Sequence, residues 1–180
     1  HTTEDLMMRW VEFGIFTPLF RNHSALDTRD QELYRFERKK DFKNLIELRH
    51  ALVPYILRNF RYAVENDTMY IKPLWFEYRG DERAREIEDQ LLVGDSIMIA
   101  PVHEQNATGR YVYLPERMKL LRFRSADDYD EEIFEAGDHY VKAELNEVLV
   151  FLRPGRKLEL AKPACCMRDL DMEHLTEISF

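Results

Sequence analysis

Cysteine is nearly absent from this chain: there are two, Cys165 and Cys166, side by side. Adjacent cysteines rarely bridge each other, and two make no disulfide framework. A reducing compartment, the cytoplasm, is the expectation. No stretch approaches the ~20 apolar residues of a membrane-spanning helix, so no membrane partner is expected. His1-Thr2-Thr3-Glu4-Asp5 has neither the basic start nor the apolar core of a signal peptide. An initiator methionine is missing too, and the chain is expected to be a piece of a longer polypeptide. Positive charge is in deficit, with a net charge of −8. The basic runs 35–40 and 79–85 are interrupted by acids and read as solvated faces. Phosphate backbones need a clustered positive surface, so a nucleic-acid partner is not expected. The histidines at 1, 50, 103, 139 and 174 form no metal-ligand pattern with carboxylates or cysteines. No P-loop, dinucleotide-binding glycine motif or G-x-S-x-G elbow occurs. No metal and no cofactor are therefore expected. The acidic group Asp127, Asp128, Asp130, Glu131 and Glu132 lacks the ordered alternation and the glycine of a calcium loop, and reads as a solvated turn.

What remains is a sequence able to build a core: 45% hydrophobic and 33% charged over 180 residues. Thr2 or Thr3 can cap a helix over Glu4–Phe13, with Met7, Trp10, Val11 and Gly14 on one face. Gly14 and Pro18 end it. A polar loop follows over 24–36, with a short helix near Gln31–Phe36. The longest helix should run over Asp41–Glu65, with Leu45, Leu48, Leu52, Tyr55, Ile56 and Phe60 at spacings of three and four. Pro54 predicts a kink or break within it. Residues 69–76 read as a buried strand, and 82–92 as a charged helix. After Gly94 the texture changes to short strands at 96–101, 110–114, 119–124, 140–145 and 148–152, separated by turns, which suggests a β-sandwich reaching to about 160. Residues 165–180 show little pattern and predict a loose tail or an edge-covering segment. The fold class is therefore α+β, helix-rich first and strand-rich second.

The densest signal is Phe13-Gly-Ile-Phe-Thr-Pro-Leu-Phe-Arg-Asn-His-Ser24, an apolar run that stops in Arg21, Asn22 and His23. Such a segment often delivers polar side chains to a pocket. Its words, with Leu6-Met7-Met8-Arg9-Trp10 before them, closely resemble the segment preceding the last strands of the catalytic barrel in glycoside hydrolase family 31. The resemblance continues through Leu48–Ile56, Lys72–Glu77, Asp89–Val102, Tyr113-Leu114-Pro115 and Phe151–Gly155. It covers most of residues 3 to 161 in order.

The resemblance implies the helices and last strand of a (β/α)8 barrel over 1–94, an antiparallel β-sandwich domain over 95–163 and a tail over 164–180. A complete barrel needs roughly 250 residues and does not fit in this chain. Most members of the family are retaining α-glucosidases and α-xylosidases. Their nucleophile and general acid/base are two aspartates, about 5 Å apart. Neither aspartate motif occurs here, so no catalytic residue is assigned. Of the sugar-contacting residues only the histidine of the Arg-Asn-His run maps here, as His23, with Phe20 as a wall of the same site. Arg21 is expected to brace the loop through a backbone carbonyl or carboxylate. By itself, His23 reads more readily as a satisfied structural histidine, and the resemblance reverses that balance toward sugar contact.

The function implied is that of the C-terminal part of an α-glucosidase acting on terminal α-linked glucose in an oligosaccharide, with the N-terminal remainder of the parent polypeptide as its partner. A non-catalytic carbohydrate-binding or interaction protein that kept the fold is the alternative, as is a site completed by a separate N-terminal chain. Trp10, Phe16, Leu74 and Phe76 are expected to leave an apolar surface where barrel strands are missing.

Overall fold

The computed structural model describes residues 2–180. Helix α1 (Glu4–Gly14) starts where the Thr3 hydroxyl accepts the Leu6 N–H at 3.2 Å, with Glu4 and Asp5 in the first turn. Acids there complement the positive end of the helix dipole. An irregular stretch follows, relieved only by a 3-10 turn at Leu33–Arg35. Helix α2 (Lys39–Glu65) is 27 residues long and buries Phe42, Leu45, Leu48, Leu52, Tyr55, Ile56 and Ala63. It runs on without a break through Pro54. That proline is buried in the packed face, and burial of an amphipathic face contributes more to a long helix than the one ladder bond a proline removes.

Ten strands follow: β1 (Ile71–Pro73), β2 (Leu91–Val93), β3 (Ile97–Ile99), β4 (Gly109–Leu114), β5 (Met118–Phe123), β6 (Tyr129–Phe134), β7 (Gly137–Lys142), β8 (Val148–Leu152), β9 (Lys157–Leu160) and β10 (Thr176–Ser179). Six of them form one antiparallel sheet in the order β1-β2-β3-β8-β5-β6, while β4 pairs with β7 and β9 with β10. Alternate residues of the large sheet face two cores. Val93, Ile97, Ile99, Leu121, Phe123, Val150 and Leu152 meet the helices. Leu92, Met98, Leu120, Leu149 and Phe151 meet Val112, Leu114 and Val141 of the β4–β7 ribbon. The architecture is α+β, with helices on one face of the sheet and a ribbon on the other.

Several elements differ from the sequence reading. The strand expected over 69–76 shrinks to β1, and Leu74–Phe76 coil into a 3-10 turn. The helix expected over 82–92 stops at Glu86 (α3, Glu82–Glu86), and Leu91–Val93 become a strand bonded on both sides, to β1 and β3. Two ladders and burial toward two cores outweigh local helix preference there. The strand-rich region thus opens before Gly94, and the strand first read as the last of the barrel belongs to the large sheet. The acidic group is only partly a turn. Asp130, Glu131 and Glu132 lie on β6, an edge strand, with Arg124 holding Asp128 and Asp130 at 2.7 Å. Charge on an edge strand discourages pairing with another chain. The C-terminal stretch covers an edge: β10 pairs with β9 and buries Ile178. Finally, Phe16 and Leu74 are buried rather than exposed, Phe16 in the helix–sheet core and Leu74 beside Ala84 and Leu92. Trp10 does remain exposed, and Phe76 is half-buried.

Candidate functional site

The segment after α1 is held from both sides. Arg49 of α2 donates from Nη1 to the Ile15 carbonyl at 2.7 Å and from Nη2 to that of Pro18 at 3.4 Å. Burial pulls Arg49 below the ordinary guanidinium value. The buried Tyr70 hydroxyl donates to the Phe16 carbonyl at 2.9 Å. These bonds fix a turn that sends residues 19–23 across the open end of α1. Phe20 lies back against that end. A Cβ on Gly14 would come within 2.9 Å of the Phe20 ring, so only glycine allows this approach. The Arg49 guanidinium sits 5.9 Å from the centre of the same ring.

Arg21 and His23 meet directly, with Arg21 Nη2 3.2 Å from His23 Nδ1. A guanidinium can only donate, so Nδ1 is the acceptor, and the neutral imidazole carries its proton on Nε2. The contact therefore leaves Nε2 as the donating nitrogen of His23. This corrects the role expected for Arg21, which orients the imidazole instead of a backbone carbonyl or carboxylate. Gln31 closes the loop from behind: it accepts from Asn22 Nδ2 at 2.6 Å through its carbonyl and donates from Nε2 to the His23 carbonyl at 3.0 Å. Its Oε1 accepts from the Thr2 hydroxyl at 3.0 Å. The readings of Thr2 as a cap and of Gln31 as a helix start did not point to these roles, which depend on a loop closing over eight residues or more.

His23, Phe20, Arg21 and Asn22 line one cavity of about 460 Å³, walled by Trp10 and Phe13 of α1. The rings of Trp10 and Phe13 meet edge to face at 6.2 Å. Apolar walls with a few fixed polar groups are what a small-ligand site requires. Among the described residues no carboxylate lines this cavity. Asp27 lines a second hollow, which also touches His23. The arrangement can bind a hydroxylated ring between aromatic walls and a donor imidazole, but it lacks the pair of acids that glycoside cleavage needs. Among the described residues, no three His, Cys, Asp or Glu side chains gather as a metal site.

A second feature escaped the sequence reading. Arg9 and Glu12, one helical turn apart on α1, are both buried and joined at 3.0 Å. Arg9 also donates to the carbonyls of Ala107, Ala143 and Glu144 at 2.9 to 3.3 Å, which ties α1 to the ends of the β4–β7 ribbon. Glu12 has only Arg9, and its Oε1 has no partner among the described residues. Burial therefore outweighs the attraction of Arg9 and pushes the Glu12 carboxyl up to about 8. The only sequence signal was an Arg and a Glu three apart on the face that carries Met8 and Val11.

Comparison with known proteins agrees with this architecture. Residues 67–157 match the family described as the glycosyl hydrolase family 31 C-terminal domain, and residues 1–59 match the glycosyl hydrolases family 31 TIM-barrel domain. Alpha-glucosidase 2 of Bacillus thermoamyloliquefaciens is 33% identical over 163 residues, covering 89% of this chain and 20% of that protein. The lysosomal alpha-glucosidase of Rattus norvegicus is 37% identical over 66% of this chain and 13% of its own length. The crystal structure of the alpha-xylosidase from Xanthomonas citri superposes with a TM-score of 0.76 at 26% identity, over 96% of this chain and 19% of that one. The chain thus spans at most about a fifth of the length of these relatives. A barrel-type segment, a C-terminal β-domain and the Arg21–His23 loop between α1 and α2 all point one way: the chain belongs to glycosyl hydrolase family 31.

Proposed function

We propose that this chain is the C-terminal part of a retaining α-glucosidase that releases terminal, non-reducing α-linked glucose from oligosaccharides. The nucleophile and acid/base aspartates belong to the upstream part of the parent. This chain contributes the wall of the sugar site, with His23 donating from Nε2 to a glucose hydroxyl and Phe20 closing one side. The observation that carries the reading is the Arg21–His23 pair, which presents a fixed donor to a cavity walled by aromatic rings. The N-terminal remainder of the parent is the natural cover for Trp10 and Leu19, both exposed beside that cavity. The free, exposed Cys165 and Cys166 favour a reducing compartment such as the cytoplasm.

In the parent enzyme, His23→Ala removes a hydrogen bond next to developing positive charge. Such a bond is worth about 1.5–3 kcal/mol, so kcat/KM should fall by roughly ten- to two-hundred-fold. The melting temperature should barely move, because the exposed imidazole has little core packing. Near-normal kcat/KM with a large loss of stability would show that His23 is structural. A second reading is a non-catalytic carbohydrate-binding protein, which a cavity without carboxylates among the described residues fits equally. The 180-residue chain by itself is inactive under both readings. The two separate on whether the parent turns over p-nitrophenyl α-glucoside.

A further inference from the structure

The outer face of the β4–β7 ribbon has a feature that neither the fold nor the His23 site uses. Tyr111 and Tyr140 stand directly opposite each other in register. Their neighbours Val112 and Val141 point into the core, so both tyrosines point out. They are 75% and 52% exposed, too open to contribute much to folding. The rings meet edge to face, with centres 5.3 Å apart and planes at 72°. This makes an angled aromatic notch rather than a flat cover. Tyr140 is also held in place. A Cβ on Gly109 would fall 2.6 Å from the Val141 carbonyl and 2.9 Å from the Tyr140 ring, so glycine alone lets that ring lie against the strand.

Beside the notch is a cavity of about 520 Å³, within the range of small-ligand sites. Its polar edge is preorganised by Arg110, which is nine-tenths buried. Arg110 Nη2 lies 2.6 Å from Asp89 Oδ2, Nη1 donates to the Asp89 carbonyl at 3.1 Å and also to the Pro101 carbonyl, and Nε donates to the Tyr111 carbonyl at 3.0 Å. One guanidinium thus fixes the carboxylate, the loop and the strand bearing Tyr111. Among the described residues no donor engages Asp89 Oδ1, which is left to accept from a ligand. Asn106 is held at a φ of 61°, its N–H on Asp5 Oδ1 at 3.3 Å, and the exposed His103 completes the edge.

We propose that this ribbon face is a second saccharide-binding site, in which Tyr111 and Tyr140 stack on the C–H faces of a glucose unit of an α-linked oligosaccharide. Asp89 and Asn106 take its hydroxyls. The chemistry selects a neutral, hydroxylated ligand with apolar faces. An anionic ligand would meet Asp89 and Glu104 on a chain of net charge −8. The choice of α-linked glucose rests on the function proposed above. The cavity shares Asp89, Val102 and His103 with a cleft beside Trp10 and Phe13, which also wall the His23 cavity. A long chain anchored at the ribbon would stay near the site of cleavage, which raises its effective concentration there.

The test is titration of the 180-residue chain with maltoheptaose, followed by calorimetry, with cellohexaose as the β-linked control. Tyr111→Ala and Tyr140→Ala should each weaken maltoheptaose binding by about tenfold. Tyr111→Phe should retain it. The Phe variant guards against a folding artefact. No binding by the unaltered chain, equal binding by Tyr111→Ala, or equal affinity for cellohexaose would overturn the proposal. Self-association lost in Tyr111→Ala without saccharide binding would overturn it too, by making the notch a protein surface. Turnover of p-nitrophenyl α-glucoside by the parent tests the catalytic reading separately. If that activity persists while maltoheptaose binding is absent, only the ribbon site fails.

Discussion

Strand β8 is buried on both faces, with all five residues from Val148 to Leu152 inside, whereas α1 buries one face and leaves Trp10 61% exposed. The large sheet is complete: the helices cover one side and the β4–β7 ribbon the other. The helical part is closed only toward the sheet, and its outer side shows Trp10, Leu19, Leu26 and Tyr34 to solvent. The core between sheet and ribbon, which the strand-rich part closes by itself, should keep its stability in any context. A region with one open face should depend on what is placed against it. The two share the helix–sheet core, and their polar joints are chiefly the Arg9–Glu12 clamp and the bonds of Tyr55 and Asn59 of α2 to the β2–β3 turn.

The largest effect is expected in the sheet. Phe151→Ala empties a fully buried site between two layers and should cost about 3–5 kcal/mol in chemical denaturation, whether measured in this chain or in the parent. A cost that depended strongly on context would break the comparison, because the sheet would then not be self-sufficient.

Breaking the clamp comes next. Arg9→Ala leaves Glu12 buried and alone and strands three carbonyls; removing one partner of a buried pair costs about 3–5 kcal/mol, here offset by the ease with which Glu12 is protonated. Linkage gives its pH signature. A carboxyl pushed up to about 8 from 4.5 binds its proton more tightly in the folded state. Its contribution to stability is complete below about pH 4.5 and is lost as the pH rises through about 8. Glu12→Gln should flatten that slope in a series of melts. An unchanged slope would mean that Glu12 is ionised and fully paired.

The second joint is tested by Gly94→Ala. Gly94 has a φ of +65°, and a Cβ there would lie 2.5 Å from the Asn59 side chain and 2.7 Å from the Tyr55 hydroxyl. That hydroxyl donates to the Val93 carbonyl at 2.6 Å and accepts the Ser96 N–H at 3.1 Å. Backbone strain alone costs about 1–3 kcal/mol, and urea denaturation should show at least this loss. A neutral result would mean that α2 moves freely against the turn.

The smallest effect sharpens the contrast. Trp10→Ala in this chain should change stability by less than about 0.5 kcal/mol, as exposed positions do. In the parent the same substitution should cost several times more if upstream barrel elements cover that face. Equal, small effects in both would leave the open face as true surface.

Much of this contrast was legible in the sequence. Apolar residues at spacings of three and four marked α1 and α2, and the uninterrupted run Val148–Leu152 matches β8 residue for residue. The polar end of the run at Arg21-Asn22-His23 marked the candidate site, because a local pattern needs no partner to be seen. Strand β6 was missed for the opposite reason. Its Asp-Glu-Glu sequence reads as a turn, and it is a strand only because β5 offers it a ladder and Lys119 a counter-charge at 2.9 Å from Glu131.

The sequence by itself determined the α+β class, the order of helix-rich and strand-rich parts, and which segment carries His23. These follow from periodicity and chain chemistry within a few residues. Only the tertiary structure decided that Leu91–Val93 are a strand, that Arg21 sets its guanidinium against His23 Nδ1, that Arg9 and Glu12 share a buried site, and that Tyr111 and Tyr140 form one notch. Each of these depends on which atoms approach within a few ångströms across the fold. Hydrogen bonds and the cost of burying charge fall off over that same distance.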